Sequence, residues 1–172
     1  MASTTPSECS STSRESVRTR LADLQSPTDL STTIELLDMY AREPMGAGEP
    51  LAAEVLERLR SDLPTLERLL VILAEDAGGR AVGLAFCLMG YSTFYARPLI
   101  NIHDLAVVPE ARGQGVGASL LHAVLEQARQ RDCCKVTLEV RSDNDGAQRL
   151  YRRFGFTGGP RKSAMQFWTR HL

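Results

Sequence analysis

The segment His103–Ala118 reads HDLAVVPEARGQGVGA. Its front half belongs to a strand pattern that runs from Leu99 to Val107. Behind it, Leu120, Leu121, Val124, Leu125 and Ala128 recur at helical spacing, which predicts a long helix over Val116–Arg131. Arg112-Gly113-Gln114-Gly115-Val116-Gly117-Ala118 joins the two. Three alternating glycines let a backbone turn sharply and approach a ligand closely. The first N–H groups of a helix have no partner within it, and the positive end of the helix dipole stands behind them. Strand, glycine turn and helix in this order make a cradle for a phosphate or pyrophosphate.

Further elements flank this cradle. Upstream, Val17–Asp23 reads as a weak strand, and Ser26-Pro27-Thr28-Asp29 signals a helix start. That helix carries Ile34, Leu37, Met39, Tyr40 and Ala41 up to Pro44. A loop over Pro44–Gly48 leads to a second helix, Leu51–Leu63, with Leu51, Val55, Leu56 and Leu59 on one face. Strands follow over Leu69–Glu75 and Ala81–Phe94, the latter broken at Gly90, with a hairpin turn at Asp76–Arg80 between them. Downstream come a strand over Lys135–Val140, a helix over Asn144–Phe154 capped by Gly155, and a last strand over Ala164–His171. The order β, α, α, β, β, β, α, β, α, β predicts an α/β domain, a mixed sheet with helices on both faces. Residues 1–16 hold nine Ser or Thr and read as a flexible tail, leaving 17–172 as a single domain.

Two phosphate-binding readings fail on context. Gly113, Gly115 and Ala118 fit G-x-G-x-x-G/A, and Glu139 ends a following strand, as a dinucleotide fingerprint asks. In that fingerprint the first glycine follows its strand almost directly, whereas Val108–Arg112 intervene here. Too little chain follows for a doubly wound sheet. A nucleoside-triphosphate loop is excluded, because no GxxxxGK[ST] occurs.

Leu105–Gly117, with Arg112, Gly115 and Gly117 in their places, resembles the acetyl-CoA-binding motif of the GCN5-related N-acetyltransferases. A second signature of that family matches downstream: Leu138-Glu139-Val140, Asn144, Ala147, Leu150-Tyr151 and Gly155-Phe156. The resemblance is strong over residues 99–158. It implies a mostly antiparallel sheet with a splayed parallel strand pair, the acyl-CoA N-acyltransferase fold, with the pantetheine arm between the splayed strands. It further implies that the backbone of Leu105, Ala106 and Val107 pairs with pantetheine. Arg112, Gly113, Gln114, Gly115, Val116, Gly117 and Ala118 would hold the pyrophosphate, Asn144 would touch the arm, and Tyr151 would sit near the sulfur.

The chemistry so implied is direct transfer of acetyl from acetyl-CoA to a primary amine. The amine must lose a proton, the oxyanion needs a donor, and the thiolate needs an acid. The family's oxyanion donor is a strand N–H, here that of Val107. Spacing alone makes Tyr151 a core tyrosine, and the LY…GF signature makes it the acid. Glu139 lies on the strand face of Lys135 and Thr137, and the resemblance to ribosomal-protein N-terminal acetyltransferases makes it the first base. His103 alternates with Leu105 and Val107, shares their face, and is the second base candidate. Asp104 points to the opposite face and receives no role. An acidic pair at this place marks polyamine acetyltransferases, and His103-Asp104 departs from it. The two helices after the first strand usually line the acceptor pocket, and their many acids favour a cationic amine. Tyr91, Phe94 and Tyr95 either wall that pocket or pack the sheet edge.

Composition narrows the remaining classes. The chain is 43% hydrophobic with net charge −1, which argues against a dedicated nucleic-acid surface. Residues 1–86 hold 8 basic and 14 acidic residues, the remainder 12 and 7; a basic second half suits an anionic ligand. No apolar stretch is long enough for a membrane span, and the polar start lacks a secretory h-region, so a cytoplasmic location is expected. Four cysteines and three histidines show no zinc spacing, so no metal is expected. No cysteine lies in the shared motifs, so no acyl-enzyme is indicated. The alternatives are a protein N-terminal acetyltransferase and an acyl-CoA-binding regulatory module. A homodimer follows only by analogy with the family.

Overall fold

A computed structural model describes residues 17–158 of the 172-residue chain. The tail over 1–16 and the strand expected over Ala164–His171 lie outside the described residues. The chain forms two compact units, Met1–Leu138 and Glu139–Leu172.

The first unit is built on a five-stranded sheet in the order β1 (Arg18–Leu21), β2 (Leu69–Glu75), β3 (Ala81–Ser92), β4 (Arg97–Val107) and β5 (Lys135–Leu138). Neighbours through β4 are antiparallel, and β4–β5 is parallel. The mixed, mostly antiparallel sheet is therefore present. Helix α1 (Pro27–Ala41) starts at Pro27 behind Ser26, as the sequence predicts. Proline costs nothing at the first helical position, where its missing N–H has no partner anyway.

Each face of the sheet carries a helix. Ile34, Leu36 and Leu37 of α1 join Val71, Leu73, Leu84, Phe86 and Ala106 in one buried cluster. These strand residues share a face, because Val71 pairs with Phe86, Leu73 with Leu84, and Leu84 with Ala106. Helix α3 (Val116–Gln130) covers the other face, contributing Val116, Leu120, Leu121 and Val124 to the buried interior. A partly buried ion network ties β1 to α1 and β2: Arg20 forks onto Asp29 at 2.6 and 2.8 Å and reaches Glu75 at 2.6 Å.

Several element boundaries differ from expectation. The second helix, α2, runs only Ala53–Asp62 and gives way to a 3-10 turn at Leu63–Thr65. Leu51, Leu56 and Leu59 pack on the core, but Val55 is 38% exposed. Strand β3 passes through Gly90 unbroken, since Gly90 stays in register with Leu99. The irregularity falls instead at Phe86/Cys87. Strand β5 stops at Leu138, two residues early.

The second unit, as described, holds α4 (Asp145–Arg153). Asn144 caps it, its side-chain oxygen accepting the Ala147 N–H at 3.0 Å. Gly155 closes it at φ 81°, the left-handed conformation expected of a residue after a helix end.

Candidate active site

Packing sets the glycine turn against the end of β4. Gly83 pairs with Val107. A Cβ built on Gly83 would lie 2.8 Å from the Ala106 carbonyl oxygen and 3.1 Å from Val116 Cγ1. The first residue of α3 thus sits directly over the β3 position opposite Val107, and only glycine leaves room for so close an approach. Gly113 and Gly115 hold φ of 76° and 92°. Added Cβ atoms there would meet nothing within 4 Å, so the need for glycine is conformational.

The turn leaves a set of donors open. Among the described residues, no acceptor engages the N–H of Gly113, Gln114, Gly115, Val116, Gly117 or Ala118. They stand at the positive end of a 15-residue helix. Six N–H groups in so short a run suit the oxygens of a pyrophosphate. The Arg112 side chain is otherwise employed. Its Nε donates to the Val107 carbonyl at 3.1 Å, and its two Nη atoms meet the Glu43 carboxylate at 3.3 and 3.2 Å. Gln114 Nε2 donates to the Glu110 carbonyl at 2.7 Å.

Next to this cradle, β4 has an open edge. Its register with β5 covers Leu99–Ile102 only. Past Ile102, residues His103–Val107 have no strand partner on the β5 side among the described residues. Leu105, Ala106 and Val107 lie on this run, so the structure brings the expected pantetheine-pairing residues and the expected pyrophosphate turn together.

The middle of β4 carries a bulge. Phe86 pairs with Asp104 and Cys87 with Ile102, so His103 is an extra residue without a β3 partner. Gly83, Ala85 and Cys87 alternate onto one face, and their partners Val107, Leu105 and Ile102 share it. His103 therefore loses the simple alternation that would place it with Leu105 and Val107. It is exposed. Asp104 lies on the opposite face, as expected, level with Phe86. Its carboxyl is half-buried, and no ion pair or hydrogen bond engages it among the described residues. Burial pushes it above the ordinary carboxylate range, and the neighbouring His103 opposes this only in part. Sequence reasoning passed over Asp104; an acid on the α1-facing side of a strand, beside Ala106, was the signal available.

Glu139, Asn144 and Tyr151 belong to the second unit. Glu139 follows the end of β5 and is exposed. Tyr151 is buried on α4 and meets Phe156 edge-to-face at 5.9 Å between ring centroids. The Asn144 oxygen serves the α4 cap, which leaves its amide NH2. At the β3–β4 hairpin, Phe94 is 98% exposed, and Tyr95 lies 5.8 Å beneath the Lys135 ammonium. Phe94 therefore does not pack the sheet edge. Among the described residues no group of three or more His, Cys, Asp or Glu could hold a metal, and no helix is long and apolar enough to cross a membrane.

Comparison with known proteins agrees with this geometry. The chain is 41% identical over 64 residues to a Bacillus subtilis protein named for [ribosomal protein bS18]-alanine N-acetylation, a match covering 37% of this chain and 42% of that one. It is 36% identical over 81 residues to the thialysine N-epsilon-acetyltransferase of Bos taurus, covering 47% of each. The chain thus spans less than half the length of these two relatives. Among solved structures, an aminoglycoside acetyltransferase from an uncultured soil metagenomic sample, in complex with sisomicin, superposes with a TM-score of 0.73. Its sequence identity is 18%, and the match covers 91% of this chain and 97% of that one. The family model described as the acetyltransferase (GNAT) family matches residues 33–156. With the glycine turn, the open edge of β4 and the family match in agreement, this chain belongs to the GNAT acetyltransferase family.

Proposed function

We propose that the protein is an N-acetyltransferase that moves the acetyl group of acetyl-CoA directly to a primary amine, with a small-molecule amine as acceptor. The observation that carries this reading is the run of six N–H groups at the start of α3 and the β5-side edge of β4 past Ile102, neither of which finds a partner among the described residues. The first suits a pyrophosphate and the second an amide-bearing arm, and acetyl-CoA has both in sequence. Asn144 would add a contact to the arm through its free amide NH2.

In the reaction the amine lone pair attacks the thioester carbonyl, the C–S bond breaks, and the nitrogen gives up a proton. The Val107 N–H is the proposed oxyanion donor, and Tyr151 the proposed donor to the departing thiolate. The proton from the amine goes to Glu139 or to His103. Asp104 joins them as a third candidate, because its half-buried, unpaired carboxyl is already inclined to hold a proton. Direct transfer is favoured over an acyl-enzyme, since Cys87 is fully buried and its thiol is pushed up to about 12, mainly by burial.

The bovine relative named for an N-epsilon acceptor favours a small amine, and the acids of α1 and α2 favour a cationic one. Likeness to the protein named for bS18-alanine acetylation supports protein N-terminal acetylation as the second reading. A cytoplasmic location fits either. Release of free CoA thiol from acetyl-CoA tests both. Lysine analogues should be turned over faster than an alanine-terminated peptide, and the reverse order would favour the second reading. Tyr151→Phe should cut turnover about tenfold or more with little change in acetyl-CoA affinity. Unchanged turnover would remove Tyr151 from the mechanism. No turnover with any amine, despite CoA binding, would point to an acyl-CoA-binding regulatory module.

A further inference from the structure

Glu43 and Arg112 are 69 residues apart in sequence, yet their side chains form an ion pair that joins the α1–α2 connection to the glycine turn. Arg112 immediately precedes the six N–H groups that find no acceptor among the described residues. Its fork on Glu43 is loose. The two N···O distances are 3.3 and 3.2 Å, whereas Arg20 holds Asp29 at 2.6 and 2.8 Å. Charge-assisted pairs at full strength are shorter than 3 Å. The Arg112 side chain is also 49% exposed, so water competes for it.

From this we infer that Glu43 is an internal competitor for the anionic ligand of the glycine turn: it holds Arg112 until a pyrophosphate replaces it. The inference rests on the acetyl-CoA reading above. A pyrophosphate bound to the turn places more negative charge beside Arg112 than one carboxylate supplies. Arg112 can exchange partners without losing its Nε bond to the Val107 carbonyl. The exchange frees Glu43, whose own segment is a compact turn. Gly46 N–H donates to the Glu43 carbonyl at 2.8 Å, and the Ala47 and Gly48 N–H groups donate to the Ala41 carbonyl at 3.0 and 2.8 Å. Binding at the glycine turn therefore loosens residues 43–48. Glu43 is a positioning residue, acting only through Arg112.

The sign of one measurement separates this from a purely structural ion pair. If Glu43 competes, Glu43→Gln tightens CoA binding, by about two- to fivefold for a half-exposed pair. Glu43→Ala should move the Kd in the same direction. If the pair merely braces the turn, both variants weaken binding. The gain must also pass through Arg112, so Glu43→Gln should change nothing in an Arg112→Gln background. Calorimetric titration with CoA reads all of these. Amide exchange over residues 43–48 should rise when CoA is added to the parent chain. Unchanged or weaker binding in Glu43→Gln, or a gain that persists without Arg112, overturns the inference. Failure of the parent chain to bind CoA at all would instead remove the acetyl-CoA reading beneath it.

Discussion

Asp104 is a carboxylate that the fold has placed where a carboxylate is costly. It stands level with Phe86 on the α1 side of the sheet, and the neighbouring His103 offsets its burial only in part. Because burial holds its carboxyl above the ordinary range, the folded chain binds a proton that the unfolded chain releases. Stability therefore falls as pH rises from the ordinary carboxylate value, about 3.9, through the raised one, and stays lower above it. Asp104→Asn should raise the melting temperature on the alkaline side of that transition, where the parent carboxyl is charged. Below the ordinary carboxylate value the gain should vanish, since residue 104 is then uncharged in both proteins. An equal gain at both ends of the pH range would show that charge burial is not the cause. A carboxyl held above its ordinary range beside the exposed His103 makes Asp104 a candidate for proton handling in the proposed reaction. Loss of turnover alongside the gained stability would place Asp104 in that site.

Among the elements, the contact between α3 and the sheet decides how the cradle meets β4, and it depends on Gly83. A Cβ there would fall 2.8 Å from a backbone oxygen, which cannot move aside as a side-chain tip can. Gly83→Ala should cost about 1–3 kcal/mol, as overpacking generally does, and should weaken CoA binding because α3 is pushed off the end of β4. Lowered stability with unchanged CoA affinity would show that the cradle does not depend on this contact. Gly83 also shows where the sequence stops being readable. The glycine turn, the helix behind it and the strand before it were legible, because each rests on local chemistry: alternating glycines, apolar spacing, a left-handed cap at Gly155. The bulge at His103 was not, because it is a property of the pairing with Phe86 and Cys87 rather than of β4 alone. Periodicity assumes an unbroken strand, so it carried His103 to the face of Leu105. The end of β5 at Leu138 escaped for a similar reason: alternation continues through Val140, but strand pairing does not. The Glu43–Arg112 contact left no local trace at all, since the fold alone brings its two ends together.

For the molecule as a whole, ligand binding and stability are one quantity. A ligand that binds only the folded chain, at one hundred times its dissociation constant, adds about 2.7 kcal/mol. In a chain of 172 residues that is a rise of about 5–10 °C in melting temperature. CoA and NAD make a discriminating pair for this test, because both carry an adenine nucleotide and a pyrophosphate. The open N–H groups of residues 113–118 offer donors to either. Only CoA has an amide-bearing arm to lie along the β5-side edge of β4 past Ile102, which has no strand partner there among the described residues. If that edge is part of the site, CoA should produce the full shift and NAD little or none. Equal shifts would mean that the glycine turn binds pyrophosphate without help from β4, and the assignment of Leu105, Ala106 and Val107 to the arm would fall. A shift with NAD alone would reverse the choice made between the two glycine-turn readings. Raising the ionic strength adds a second axis. Interaction between the turn and the pyrophosphate is screened by salt, whereas backbone pairing along β4 is far less so. At high salt the CoA shift should therefore shrink but persist, and complete loss would assign the binding energy to the turn alone.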